Sequence, residues 1–289
     1  MTKPAVYDLG RLAGPVLIFG GPYSNLQATR AVLDEAAKLS IPPAHIICTG
    51  DVVAYCADPQ ATVDLIAAAG IPVVQGNCEI SLGRGLDDCG CGFDEGSTCD
   101  QLSARWYAYA EAHISPEARA WMAGLPARID FEIAGRRLAV VHGAPSAVNK
   151  FVFASTPHAV KAQEIELSGC DGVICGHSGL PFSEIIGGRL WHNAGVIGLP
   201  ANDGGQHTWY SILWPEAAGL RVEHRTLTYP AQAAADAMRA QGLPAEYSQT
   251  LTTGLWDNCD ILPPVETEAC GRPLTPEPLW WPLAEKISA

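Results

Sequence analysis

The sequence predicts an α/β fold, in which a β-sheet carries helices on its faces. Short apolar runs that end in glycine or a polar residue alternate with segments of helical periodicity through the first half of the chain. The second half is richer in strands, and Gly187-Gly188 between two of them is typical of a tight hairpin. Alternation of strands and helices places the helices against a sheet.

The individual elements follow from apolar spacing and from capping residues. In the first half, Asn25 is a suitable cap for the first helix. The predicted strands there are 15–20, 45–48 and 71–75, and the predicted helices are 26–39, 60–69, 99–113 and 116–124. The second half has predicted strands at 128–133, 137–141, 172–175, 182–186, 189–192, 208–214 and 220–226, and predicted helices at 157–167, 231–241 and 245–253.

The predicted domain organisation is one domain over residues 1–255 and a proline-rich tail over 256–289. The segment 83–99 interrupts the alternation with Gly, Asp and Cys, and it is predicted to be a loop. The tail has six prolines from Leu262 onwards and is predicted to be an extended arm held by Trp280 and Trp281.

The charge of the chain limits its partners. The net charge of −13 argues against nucleic acid or an anionic membrane as the main partner, because both require a basic face. A small anionic substrate stays open, since a bound metal can reverse the local field. Met1 to Leu12 do not resemble a signal peptide, and no stretch approaches the ~20 apolar residues of a membrane helix. We therefore expect a cytoplasmic protein; a homo-oligomer is left open.

Four short polar segments follow predicted apolar strands. They are Gly50-Asp51, Gly76-Asn77-Cys78-Glu79, His142-Gly143 and Gly176-His177. Taken singly, each is more typical of a turn or a structural polar residue than of a ligand. Together they can converge, because ligands gather at the carboxyl ends of strands in α/β sheets. A carboxylate, an amide oxygen and two imidazoles suit a divalent Mn, Fe, Zn or Co ion.

The order of these segments resembles the signature of the calcineurin-like metallophosphoesterases. That signature runs Gly-Asp, Gly-Asn-(His/Cys)-(Asp/Glu), His-Gly and Gly-His, and the resemblance covers about residues 14–230. Supporting matches are Ser24-Asn25-Leu26, the run 51–59 and the run 193–198.

The resemblance implies a four-layer α/β (α+β) sandwich of two stacked mixed sheets flanked by helices. It implies one ion held by Asp51, Asn77, His142 and His177, with a second ion bridged by Asp51. Paired metals in such centres activate a water and clamp the phosphate. The catalytic set carried over from the family is Asp51, Asn77, Cys78 and His142.

The chain departs from the family at the second ion. Where the family has Asp-x-His-Gly-Asn, this chain has Gly21-Pro22-Tyr23-Ser24-Asn25, and the last motif reads Gly176-His177-Ser178-Gly179 instead of Gly-His-x-His. All three losses affect the same ion, which predicts a remodelled centre with one or two ions. Tyr23, Asn25 and Cys78 are expected at the substrate position. Alternatively, Tyr23 fills the vacated volume and Cys78 packs against Asn77.

The loop 83–99 is a second candidate metal site. Cys89, Cys91 and Cys99, with Asp88 or Glu95, offer soft ligands for zinc or iron. Two other interpretations are an acidic loop with free thiols and a structural zinc site completed by Cys259. Of the remaining histidines, His192 and His207 are candidates to support the ligands, and His224 is expected at a surface or boundary position.

The predicted function is hydrolysis of a small organic phosphate, a monoester or a diester, by a metal-dependent enzyme. One alternative is a metal- or ligand-binding module without hydrolysis, which the missing ligands favour. Another is a metal or redox role of the Cys-rich loop. Fold analogy alone does not choose among them.

Overall fold

The computed structural model describes residues 6–283. Its strands are β1 (Val6–Arg11), β2 (Val16–Phe19), β3 (Ile46–Cys48), β4 (Arg128–Ile133), β5 (Arg136–Val140), β6 (Gly172–Cys175), β7 (Phe182–Ile186), β8 (Arg189–Asn193), β9 (Thr208–Glu216), β10 (Gly219–Leu227) and β11 (Leu279–Pro282). Its α-helices are α1 (Leu26–Lys38), α2 (Pro59–Ala69), α3 (Asn77–Arg84), α4 (Thr98–Ala112), α5 (Pro116–Ala123), α6 (His158–Ser168), α7 (Ala231–Ala240), α8 (Ala245–Thr253) and α9 (Pro264–Glu268). No helix within this part of the chain is both long and apolar enough to span a membrane.

The strands form two mixed sheets. The first has the order β1-β4-β5-β6-β8-β7, with parallel pairs β1–β4, β5–β6 and β6–β8. The second has the order β11-β10-β9-β2-β3, in which β2 and β3 are parallel and the other pairs antiparallel. The carboxyl ends of β3, β5 and β6 carry three of the four predicted polar segments.

The period of the strands divides their side chains between separate cores. Val16 and Ile18 of β2 lie in the core between the two sheets, whereas Leu17 and Phe19 lie in a core shared with α1 and other helices. The outer face of the first sheet packs against α6, where Ile165 meets Val173 and Trp191 among others. The layers are therefore helix, sheet, sheet and helix, which confirms the predicted fold class.

One predicted strand does not form, and one strand that forms was not predicted. Residues 71–75 do not form a strand, and only Val73 makes a bridge, to Cys48. Pro72 has no N–H to extend that ladder on one side, and on the other the N–H of Gly76 donates to Glu79. Strand β1 was not predicted. It lies at the sheet edge with most of its side chains exposed, so it lacks an apolar period.

The C-terminal segment is more ordered than an extended arm. It contains α9, and β11 extends the second sheet by pairing with β10. Trp281 is buried and its indole N–H donates to the carbonyl of Gly188 at 3.0 Å, whereas Trp280 is 43% exposed. Of the two predicted anchors, Trp281 is therefore the buried one. The domain boundary after residue 255 stays a prediction.

Candidate metal centre

Four predicted side chains come together at one edge of the two sheets. Asp51 follows β3, His142 follows β5 and His177 follows β6, while Asn77 is the first residue of α3. All four side chains are buried. Ligand atoms of Asp51, His142 and His177 lie within 4.8 Å of one another, and within residues 6–283 no other Asp, Glu, Cys or His set does this.

Hydrogen bonds orient the two imidazoles. Nδ1 of His142 lies 2.7 Å from the carbonyl oxygen of Thr49, so Nδ1 carries the proton and donates it. Nε2 of His142 lies 3.2 Å from Oδ2 of Asp51 and 2.9 Å from Nδ1 of His177. Without an ion, Nε2 can carry a second proton and pair with Asp51; a bound cation would displace that proton and take the lone pair. Metal-binding histidines are typically fixed in this way by a carbonyl behind the ring.

Asn77 offers an unsatisfied oxygen to this centre. Its amide Nδ2 donates to the carbonyl of Cys89 at 2.9 Å, which fixes the side chain. Its Oδ1 is buried and has no hydrogen-bond partner in the described part of the chain. A buried acceptor without a partner is costly, and a cation would satisfy it. The carboxylate, the amide oxygen and the two ring nitrogens therefore fit one transition-metal ion.

Burial and mutual charge set the protonation of the ligands. Burial raises the pKa of Asp51, but the charge and hydrogen bond of His142 outweigh it and hold that pKa below its ordinary value. Burial and the charge of His142 lower the pKa of His177 to about 3. Asp51 is thus a carboxylate and His177 a neutral imidazole, the forms in which both groups bind metals.

Glu79 organises the loops that carry the ligands, a role that the sequence did not reveal. Its carboxylate accepts backbone N–H groups of Asp51 (2.8 Å), Val52 (2.7 Å) and Gly76 (2.8 Å). Burial, followed by the charge of Asp51, raises the pKa of Glu79 to about 7. Its position three residues after the helix cap Gly76 is the capping-box spacing, which could have indicated this role.

Two glycines allow the loops to approach closely. A side chain at Gly50, where φ is +96°, would place its Cβ 2.8 Å from the backbone nitrogen of Gly76. A Cβ at Gly76 would lie 2.8 Å from the backbone nitrogen of Asp51. Any larger residue at either position would push Asp51 and α3 apart.

The three residues predicted at the substrate position lie in different surroundings. Tyr23 lines the pocket beside Asp51, and its ring also packs over Gly21, so it fills space and faces the pocket. Asn25 does not line the pocket. It is fully buried, its Oδ1 accepts the N–H of Ala28 to cap α1, and its Nδ2 donates to Gly198. These hydrogen bonds give Asn25 a structural role, and its contact with substrate stays a prediction.

Cys78 is buried as well and does not line the pocket. Its backbone N–H donates to Oδ1 of Asp51 at 3.2 Å, and its sulfur accepts from Nδ2 of Asn77 at 3.5 Å. Burial raises the pKa of this thiol well above its ordinary value. The burial and the bond to Asn77 favour the alternative, in which Cys78 packs and orients Asn77, and a substrate contact of Cys78 stays a prediction.

The Cys-rich loop does not assemble the predicted second metal site. Cys89 and Cys91 are joined by a disulfide. The thiol of Cys99 instead donates to Oδ1 of Asn258 at 3.3 Å. Two of the three sulfurs are bonded to each other, so the trio is not a ligand set here. The loop supports the first site through the carbonyl of Cys89, which accepts from Asn77.

The other histidines lie apart from the centre. His192 is fully buried between Ser183 (2.8 Å) and Ser211 (2.7 Å), so it does not orient a ligand. His224 is also buried and contacts the same Ser183, so it is more buried than the expected surface or boundary position. His207 pairs with Asp203 at 3.3 Å.

A pocket opens beside the centre. Asp51 and His177 are among its lining residues, and other walls come from the Cys-rich loop, α8 and the segment after it. The segment after residue 255 therefore contributes directly to the walls. Aromatic residues in its walls include Tyr55, Phe93, Phe151, Tyr247 and Trp256.

A family model and solved structures match this chain. The model of the calcineurin-like phosphoesterase superfamily domain matches residues 19–213, which is more than half of the chain. The structure is similar to a hypothetical protein from Pyrococcus horikoshii OT3 (15% identity, 85% of this chain and 100% of that chain, TM-score 0.70). It is also similar to a metallophosphoesterase from Sphaerobacter thermophilus (22% identity, 84% of this chain and 100% of that chain, TM-score 0.66). No curated protein sequence matches it.

These findings define the class of the protein. The chain belongs to the calcineurin-like phosphoesterase superfamily, whose members are metal-dependent phosphoesterases. Within that class it is a divergent member, since glycine and tyrosine stand at positions 21 and 23 of its first motif.

Proposed function

We propose that this chain hydrolyses a small organic phosphate ester with a single divalent transition-metal ion, Mn, Fe, Zn or Co. The observation that carries the proposal is the buried set of Asp51, Asn77, His142 and His177, of which Asp51 and His177 line a pocket. A bound ion of this kind polarises a phosphoryl oxygen and makes a water more nucleophilic.

The protein's own groups hold the reacting parts in place. Asp51 supplies the one carboxylate of the ligand set, and Glu79 fixes its backbone. Tyr23 replaces the second-ion ligand of the family. Burial, and then the charge of Asp51, raise the pKa of its phenol well above the ordinary value, so Tyr23 stays protonated. We assign it the role of donating a hydrogen bond to the phosphate.

The test is turnover by protein loaded with each metal in turn. We expect hydrolysis of 4-nitrophenyl phosphate esters in the presence of the bound metal, and none in His142→Ala. His158→Ala is the matched control, because that histidine is 73% exposed and lies outside the pocket. One bound ion without turnover of any ester would contradict the proposal and indicate the non-hydrolytic module instead.

A further inference from the structure

The pocket beside the metal centre has an unusual lining for a phosphate site. Its walls are largely aromatic and aliphatic. Among the described residues that line it, none is Lys or Arg, and the carboxyl groups are those of Asp51 and Asp257. Phosphate sites commonly use Arg or Lys to neutralise the second negative charge of a monoester.

A nearby cation is already engaged elsewhere. Lys150 precedes the wall residue Phe151, but its ammonium lies 2.6 Å from Oε1 of the buried Glu164. Ser146 donates to the same carboxylate at 2.6 Å through its hydroxyl. This ion pair ties the loop before Phe151 to α6, and Lys150 does not line the pocket.

The net charge of the metal centre follows from the charges of the ion and its ligands. A divalent ion with one carboxylate and three neutral ligands leaves a net charge of about +1. A phosphodiester carries one negative charge at neutral pH, whereas a monoester carries close to two because its second pKa is about 6. The second charge of a monoester would lie among apolar walls without a partner, which is unfavourable.

The aromatic walls supply flat surfaces. Tyr55 contacts Tyr23 and Tyr247, with ring centroids 4.8 Å and 4.7 Å apart. Phe151 lies 4.4 Å from the ring of His177 and stacks with Phe93 at 6.5 Å. Aromatic rings bind other flat apolar groups by stacking and by edge contacts.

Resting on the proposed function, we infer that this pocket selects monoanionic phosphodiesters that carry a flat apolar group, and disfavours phosphomonoesters. The phosphate lies at Asp51 and His177, and the flat group lies among Tyr247, Phe151 and Trp256. In the reaction, a water oxygen forms a bond to phosphorus while the bond from phosphorus to the leaving oxygen breaks. One water proton ends on the leaving alcohol, and the other stays on the monoester product or passes to solvent.

The product follows the same charge rule. Cleavage of a diester yields a monoester that is close to a dianion at neutral pH. The pocket holds that product less well than the substrate, so the monoester is released and not cleaved again.

The first experiment measures binding by calorimetry to the Mn²⁺-loaded protein. The probes are diphenyl phosphate, diethyl phosphate and phenyl phosphate, which separate flatness from charge. We expect diphenyl phosphate to bind about tenfold more tightly than diethyl phosphate, through contact with the aromatic walls. We expect it to bind at least about tenfold more tightly than phenyl phosphate, because of the second charge.

Substitutions in the pocket walls test whether the aromatic rings cause the preference for diphenyl phosphate. Trp256→Leu and Tyr247→Leu keep an apolar side chain, although a smaller one, and remove a flat ring, so each lowers the preference for diphenyl over diethyl phosphate about threefold. Trp280→Leu is the matched control, because Trp280 lies on β11 and does not line the pocket. Equal binding of the diphenyl and diethyl esters, or tighter binding of phenyl phosphate, would overturn the inference.

The second experiment separates this inference from the proposed function. Bis(4-nitrophenyl) phosphate and 4-nitrophenyl phosphate share a leaving group and differ in charge. We expect the diester to have a kcat/KM about 100-fold higher than the monoester. The expected binding preference without turnover would leave the inference standing and contradict the proposed function. Faster turnover of the monoester would do the reverse.

Discussion

Two buried pairs of histidines in this molecule differ in what surrounds them. His142 and His177 lie at the ends of β5 and β6, with the carboxylate of Asp51 3.2 Å from His142. His192 and His224 lie on β8 and β10, with ring centroids 4.9 Å apart, and both contact Ser183. The second pair is hydrogen-bonded to the hydroxyls of Ser183 and Ser211. The first pair has the carboxylate of Asp51 beside it, and Asn77 of the same centre has an amide oxygen without a hydrogen-bond partner.

The comparison shows that two buried imidazoles are not by themselves a metal site. A cation needs negative charge and an unshared donor atom, and only the first pair has both within residues 6–283. Both ring nitrogens of His192 are already hydrogen-bonded to serine hydroxyls. We expect the first pair to determine activity and the second pair to determine stability.

Removal of a ligand should have the largest effect. His142→Ala leaves Asp51 without its main positive partner and removes a metal donor, so we expect loss of the bound ion and a fall in kcat/KM of about 1,000-fold. Elemental analysis and steady-state kinetics measure the two effects. His192→Ala should unfold more easily but keep its metal. If His192→Ala lost the ion as well, the distinction between the two pairs would fail.

Substitution of Glu79 should have the second-largest effect, because Glu79 positions the ligands through hydrogen bonds to the backbone. Glu79→Gln replaces an acceptor of three N–H groups by an amide that presents its own N–H. We expect metal affinity to fall about 10- to 100-fold and the free energy of unfolding to fall by about 2 kcal/mol. Metal titration and urea unfolding test both. Glu166→Gln, on the exposed face of α6, is the control and should change neither.

The second histidine pair should make stability depend on pH. Burial lowers the pKa of His224 to about 4, below the value of about 6.5 in an unfolded chain. The unfolded state then takes up the proton first, so stability falls as pH drops from about 6.5 to about 4. This loss reaches about 3 kcal/mol.

His224→Gln removes that titration while keeping a polar atom near Ser183. We expect the free energy of unfolding, measured with urea, to fall more steeply with decreasing pH for the wild type than for the variant. Parallel curves for the two proteins would show that the pKa of His224 is not lowered by folding.

Asn25 should give the smallest effect, and it sharpens the contrast with Asn77. Both amides are buried, but the amide of Asn25 caps α1 and binds Gly198. We expect Asn25→Ala to cost about 1 kcal/mol of stability and to leave KM unchanged. An increase in KM with unchanged stability would instead support the predicted contact of Asn25 with substrate.

The sequence was informative where function depends on short local motifs. Asp51, Asn77, His142 and His177 each follow or begin a regular element, so strand ends and motif order were enough to group them. The pocket walls were not predictable in this way. Phe93, Tyr247 and Trp256 lie on a loop, a helix and a C-terminal segment that meet only through tertiary packing. Likewise, Asn25 matched a motif, but its contacts depend on how α1 docks.

The most direct test of the central claim is the metal content of the chain, measured by elemental analysis on protein purified without chelator. The account predicts one transition-metal ion per chain in the wild type and none in His142→Ala, with His192→Ala retaining its ion. Two ions per chain would contradict a single-ion centre. No ion, even after metal is supplied, would contradict the assignment of Asp51, Asn77, His142 and His177 as a metal site.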